Sequence, residues 1–431
     1  MNIKSSTNKM VALSYRKESK EELRSKLILF FISPLMSLIL SIKRINTRSS
    51  YTIFYLSAAL FGFTLYVPAE KGLEALSVDS TYHRQLFEKK IVNETFSQYI
   101  DRFVQYVTFD YDPIEGDIIK DFYLDTVFYI SSIFSSSHHF AFLLFTFLFA
   151  YVSLKCMHFV VLRDNFKVSY YTLCILLIFL FNQIINIHWL RFPTASWIAV
   201  YMIFQVYVNH NKRYWLLLPL TVIIHASFFA FVILMLIAQL SKRYDKFWIG
   251  LFFVSFFVSS IPPDFLEALT NFLPERFAGL INYASESSIE GRASLIEERR
   301  TGFFISLFAV IINIYMNILM LFIIKYRKEI KVDTQNLFSV LLVLFTIMNV
   351  FAFIKEFSER YRLITYPLLA YVWITVFPKV NKYSRIIYFV PFVFAYQLAL
   401  NGYLYYMTSG YSMLLTPLYT VSKVFITGDV R

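Results

Sequence analysis

Long apolar runs decide the class of this chain before any motif is read. Residues 169–188, 303–324, 336–354 and 386–407 contain no Asp, Glu, Lys or Arg. Each approaches the ~20 residues a helix needs to cross the hydrocarbon core of a bilayer. A water-soluble domain carries about 25% charged residues, whereas here 16% are charged and 57% are apolar. The expected fold is all-α: a polytopic integral membrane protein with about 10–12 transmembrane or re-entrant helices. Residues 1–26 read as a basic N-terminal arm and 27–431 as a single polytopic domain, with no internal repeat. The arm is too long and too mixed in charge for the first region of a cleavable signal peptide. Cys156 and Cys174 lie within or beside spans, so no structural disulfide is expected.

Short basic breaks at residues 43–48, 163–167, 212–213, 242–246, 325–331 and 379–385 belong on the cytoplasmic side by the positive-inside rule. Two long loops of mixed charge, about 69–125 and 263–302, belong outside. The net charge of +12 suits basic loops against anionic lipid, and the scatter of the cations among loops speaks against nucleic acid.

Two segments conflict with that topology. Residues 214–240 have basic residues at both ends, and at 1.5 Å per residue they reach about 40 Å. They form either a re-entrant or broken pair turning near His225, Ala226 and Ser227, with a wet site at His225, or one long tilted helix. Residues 27–42 are few, contain Pro34 and are also flanked by cations. Either the arm lies outside or this segment does not span fully. Residues 122–134 read as a half-helix or an interfacial helix before the span 140–162.

Asp79, Tyr82 and His83, then Arg191, His225, Arg276 and Tyr283, and finally Glu359 and Arg360 all fall on the outer side. An ionisable group at membrane depth is a functional-site hypothesis by default. Each also has a plainer reading. Arg191 could snorkel to headgroups, His225 could be a hydrogen-bonded core residue, Asp79 a solvated acid, and Glu359 with Arg360 an interfacial charge run. His138 and His139 have no partners at metal-ligand spacing, so no metal is expected, and no other cofactor either. Walker A, Gly-x-Ser-x-Gly and Cys-x-x-Cys motifs are absent, which weakens ATP-driven transport. Asp110 and Asp112 have Asp-x-Asp spacing, but Pro113 and an acidic loop argue against a metal-diphosphate motif.

The segments VDSTYHRQLF, NIHWLRFPTASWIAVY, LTVIIHASFF and SERYRLITYPLL occur in that order. Together the chain resembles the EpsG-like branch of bacterial polysaccharide polymerases, related in role to the Wzy O-antigen polymerases. The matching elements are Asp79 with Tyr82; Arg191, Phe192 and Ala195; His225, Ser227 and Phe228; and Glu359 with Arg360. Where that family usually has a glycine or small residue before the arginine, this chain has Trp189 and Leu190.

The resemblance implies a glycosyltransferase of the outer leaflet of the bacterial inner membrane, polymerising polyprenyl-diphosphate-linked oligosaccharide repeat units into a surface polysaccharide. On that reading His225 is the leading candidate for the base, with Asp79 and Glu359 behind it. Arg191 and Arg360 hold the diphosphate through their planar forks, and Tyr82 and Tyr283 stack on sugars. Implied partners are the lipid-linked oligosaccharide, membrane lipids, and flippase and chain-length regulator proteins. Competing readings are a lipid-linked oligosaccharide flippase, which predicts two similar halves with polar groups at the midplane, and an O-antigen ligase-like transferase.

Overall fold

No water is available inside a bilayer to satisfy a peptide group, so each apolar run must close its hydrogen bonds on itself. The computed structural model describes residues 15–69, 78–108, 122–162, 166–241, 244–258, 300–330, 332–352 and 355–427. Regular structure among them is helical, apart from one isolated bridge between Arg16 and Thr47. The first helices are α1 Lys20–Ile32, α2 Pro34–Lys43, α3 Arg48–Phe63, α4 Val78–Lys89, α5 Phe96–Thr108 and α6 Phe122–Phe134. Next come α7 His138–Val161, α8 Tyr170–Phe179, α9 Arg191–Ile203, α10 Leu217–Ile224, α11 Phe228–Ser241 and α12 Asp245–Val254. The last are α13 Arg300–Lys325, α14 Val332–Val350, α15 Lys355–Val376, α16 Val390–Val393, α17 Ala395–Ser409 and α18 Pro417–Thr427.

The chain is an all-α polytopic membrane protein. Among the described residues, His138–Val161, Tyr170–Trp189 and Leu307–Lys325 are long and apolar enough to cross a bilayer. The pair Ser384–Val393 and Ala395–Ser409, bent by 44°, makes a fourth if taken as one span. Other apolar helices are shorter: α2, α6 and α11 have 10, 13 and 14 residues. The bundle centre is α9, which lies against α7, α10 and α15. Trp197 on α9 and Tyr366, Tyr371 and Trp373 on α15 are among the largest fully buried side chains.

Close packing of α3 on α7 turns on one glycine. A β-carbon on Gly62 would lie 1.9 Å from Thr146 Oγ1 and 2.6 Å from the Phe142 carbonyl oxygen. Small residues allow such backbone approach where lipid supplies no hydrophobic drive between helices.

Both topology conflicts resolve as helical hairpins. Residues 27–42 break at Ser33, which is extended (φ −153°, ψ 106°), and Pro34 opens α2. α1 and α2 pack together, and Arg44 beyond α2 reaches Glu22 at the start of α1 with an N–O distance of 3.5 Å. Both ends of this segment therefore lie on one side, so it does not span. The segment 214–240 behaves the same way. His225 is extended (φ −153°, ψ 114°) between α10 and α11. Trp215, before α10, packs on Tyr207 at 6.0 Å, and Gln239, near the end of α11, accepts the Tyr207 hydroxyl at 3.1 Å. His225 meets Phe192 at the other end of α9, with 5.3 Å between ring centres. The chain thus descends along α9 and returns, as the re-entrant reading expects and the single tilted helix does not.

Two sequence boundaries look different in the structure. α1 starts at Lys20 and runs through residue 26, so the polar arm and the first apolar run share a helix. Lys26 on it is fully buried, and its ammonium donates to Thr47 Oγ1 (2.8 Å), Ser49 Oγ (2.7 Å) and Ser50 Oγ (3.0 Å). Glu22, 3.0 Å away, neutralises it. Among its described residues the first outer loop also proves largely helical, with α5 packed through its aromatic face on α6: Tyr99 stacks on Tyr129 at 4.3 Å. The periodicity of that face was concealed by the loop's overall polarity.

The basic breaks at residues 325–331 and 379–385 meet at the end of the bundle where α8 starts. Tyr171 donates to the Phe377 carbonyl (2.7 Å), Tyr326 packs on Phe377 (5.6 Å), and the Lys325 ammonium lies 5.8 Å from the Tyr383 ring centre.

Three outcomes are expected. In a background without Cys156 and Cys174, Lys212→Cys and Leu240→Cys will both react with an impermeant thiol reagent from the cytoplasmic face only; a single span would label from opposite faces. Gly62→Val will lower the thermal unfolding temperature in detergent, with an overpacking cost of about 1–3 kcal/mol or more. Lys26→Met, which takes the ammonium from three buried hydroxyls and leaves Glu22 only its longer contact with Arg44, will destabilise by about 1–3 kcal/mol, read by the same melt.

Candidate active site

Asn182 determines where the run through α8 stops being a regular helix. It is buried, its Nδ2 donates to the Pro193 carbonyl (2.9 Å), and its own carbonyl accepts the Trp197 indole N–H (3.2 Å). These bonds pin the chain before the break to the first turns of α9 after it. Between them lie a 3-10 turn, Ile184–Trp189, and then Leu190 at φ 39°, ψ −57°. A positive φ favours glycine, and a leucine there is strained. Leu190 is fully buried, and that burial offsets the strain. The resemblance had flagged this position as the departure from a small residue. Arg191 then becomes the first residue of α9, and Pro193 falls in its first turn, where the missing N–H has no intrahelical partner to lose.

Phe192 is the meeting point. Its ring packs edge-on against His225 at 5.3 Å and at a tilt against Phe228 at 4.9 Å, and the Arg360 guanidinium carbon lies 5.5 Å from its centre. A cation over an aromatic ring is attracted by the ring's quadrupole. The charges of Arg191 and Arg360 both reach His225. Three elements therefore converge: the start of α9, the tip of the α10–α11 hairpin and the first turns of α15.

His225 is held by its own loop. The Ser227 backbone N–H donates to His225 Nδ1 at 3.2 Å, and Ser227 Oγ lies 2.7 Å from the same nitrogen. A nitrogen that accepts from a peptide N–H cannot carry the proton itself. Neutral His225 therefore keeps its hydrogen on Nε2.

α4 closes the same end. His83 on it is buried, within reach of the Arg191 charge, and touches Tyr82 at 5.6 Å. Burial first and Arg191 second push His83 down to about 3. The helix is tied down by Arg84, which donates to the Val67 carbonyl (2.5 Å) and pairs with Glu88 (2.9 Å), and by His138, 2.8 Å from Glu88. The His138 hydrogen bond, with Arg84 behind it, outweighs burial and holds Glu88 down to about 2.

Of the residues singled out in the sequence, Arg191, His225 and Arg360 meet, and Tyr82 lies next to His83 beside them. Glu359 is one position from Arg360, about 100° round the helix. Its charge and that of Arg362 reach Tyr366, on the face those three share. Asp79 belongs to α4, within two turns of His83. Arg276, Tyr283, Asp110 and Asp112 lie outside the described residues. Among the described residues no group of three His, Cys, Asp or Glu could hold a metal. Sequence reasoning missed the hub role of Phe192 and assigned none to His83 and His188. An aromatic beside a motif arginine gives no hint of what will pack on it.

A helical membrane protein with two arginines and a histidine gathered opposite its basic end defines the class. The model of the EpsG family matches residues 87–418, and the chain belongs to that family, whose members are Wzy-type polymerase-like. The match begins at residue 87, so Asp79, Tyr82 and His83 precede it. No curated protein and no solved structure matches the chain.

The tie of α4 to α7 has a pH sign. A depressed carboxylate contributes stability above its ordinary range near 4.5, which is lost as pH falls through about 2. At neutral pH Glu88→Gln removes that contribution, so hydrogen exchange across residues 78–89 will speed up while α7 stays protected.

Proposed function

We propose that this protein polymerises polyprenyl-diphosphate-linked oligosaccharide repeat units into a surface polysaccharide at the outer leaflet of the bacterial inner membrane. The observation that carries this reading is the meeting of Arg191, His225 and Arg360 around Phe192, at the end of the bundle away from the basic breaks. Membership of the EpsG family supports it.

The reaction joins an acceptor sugar hydroxyl to the anomeric carbon of the glycan on the donor lipid. A bond forms between that oxygen and carbon, and the bond from the carbon to the diphosphate oxygen breaks. Its electron pair leaves with the diphosphate, and the hydroxyl proton passes to a base. Arginine forks suit the departing diphosphate because they stay charged and bind its oxygens in pairs. Fixed cations in a water-poor site stabilise the developing charge by several kcal/mol. The Nε2–H of His225 suits donation to the same oxygens better than proton acceptance. The base then falls to a carboxylate, and Glu359 and Asp79 are the candidates, with Tyr82 and Tyr283 contacting sugars. The donor would come from a flippase, and product length from a regulator protein.

A deletion strain is expected to accumulate single repeat units on lipid facing outward; units facing inward would indicate a lost flippase instead. Arg191→Ala and His225→Ala will each abolish polymer in complementation, and unchanged yield and length distribution in both would refute the site. Phe192→Leu keeps the burial but removes the ring under Arg360. A loss of about 1 kcal/mol predicts a roughly fivefold fall in polymer formed per mole of protein, with the melting temperature unchanged.

A further inference from the structure

Two other histidines near Arg191 have no hydrogen-bond partner among the described residues. His83 on α4 is 3% exposed, with its Nδ1 buried. His188, at the end of the 3-10 turn that leads to Arg191, is 9% exposed, with both ring nitrogens buried. The turn bearing His188 packs against α4, which bears His83, and the Arg191 charge reaches His83. Buried polar groups in native proteins are almost always hydrogen-bonded, and exceptions concentrate where a ligand or water completes the set. Lys26, by contrast, has three hydroxyl acceptors, and Asn317 and Asn349 exchange amide hydrogen bonds of 3.2 and 2.9 Å. Other buried atoms also lack a partner, among them the Tyr361 and Tyr366 hydroxyls and the Trp248 indole N–H, but among the described residues His188 alone has two such atoms. The two imidazoles stand on elements that pack against each other, and one of these elements leads directly into Arg191.

Their chemistry selects the missing partner. A neutral imidazole offers one N–H donor. Donors next to a fixed cation, on a bilayer protein, suit an anion with many acceptor oxygens. A diphosphate has more such oxygens than one arginine fork can engage. We propose that His83 and His188 bind the diphosphate of the lipid-linked donor alongside Arg191, so that α4 and the 3-10 turn form one wall of its site. This rests on the functional reading above and widens the site to an element that lies mostly before the family match.

The test uses the purified full-length protein in detergent, with farnesyl diphosphate as a short polyprenyl diphosphate and farnesyl monophosphate as control. His83→Phe and His188→Phe keep bulk and burial but remove the donors. Each is expected to weaken farnesyl diphosphate binding about tenfold, with smaller effect on the monophosphate and no fall in melting temperature. His83→Asn and His188→Gln, which restore an N–H at the ring-nitrogen position, are expected to recover most of the affinity. Wild-type affinity in both Phe variants overturns the proposal, as does a loss that follows the melting temperature and is not rescued by the amides. Arg191→Ala separates the two levels of argument. If it abolishes binding while the histidine variants bind normally, only the histidine assignment fails; if binding survives in all three, the diphosphate reading of this end fails too.

Discussion

The packing of His225 against the edge of Phe192, with Arg360 beside the same ring, is the contact on which the candidate site depends. It joins two places where helical hydrogen bonding stops: the break before Arg191 and the turn at residues 225–227. Broken backbone is tolerated at membrane depth only where protein or a wet cavity covers it. Stacking one break on the other meets that condition for both. The same stacking exposes helix starts and polar side chains to each other instead of to lipid, which is how a mostly apolar chain collects two arginines and several histidines at one end.

Polar groups elsewhere show what a purely structural arrangement looks like here. Lys26 is enclosed by hydroxyls and a carboxylate, and it fastens the α1–α2 hairpin to the start of α3. Asn317 and Asn349 pair across α13 and α14, with Ser255 accepting from Asn349 at 3.3 Å. Asp245 accepts from Gln335 (2.7 Å) and Ser339 (2.5 Å), joining α12 to α14. Each set is balanced, donor against acceptor.

Much of the architecture could be read in advance. Hydropathy gave the class, and charge bookkeeping exposed the two segments that could not be simple spans. Both proved to be hairpins, broken at Ser33 and at His225. The helical first outer loop was not legible, because α5 is apolar on one face only and sits in a polar stretch. For the candidate site, the residue types were legible and the roles were not. The Ser227 N–H on His225 Nδ1 changes what that imidazole can do, and nothing in the string HAS announces it.

By itself the sequence determined that the chain crosses a membrane, which end carries its basic loops, and that arginine and histidine lie near the opposite end. Those properties follow from composition along the chain, since burying charge in hydrocarbon is costly wherever it occurs. Only the tertiary structure decided that Arg191, His225 and Arg360 are neighbours, that His83 joins them from α4, and that Leu190 takes a strained positive φ just before the arginine. Neighbourhood depends on how hairpins and helices pack across 34 residues from Arg191 to His225 and 169 from Arg191 to Arg360. Side-chain packing at that separation leaves no periodic trace in the chain.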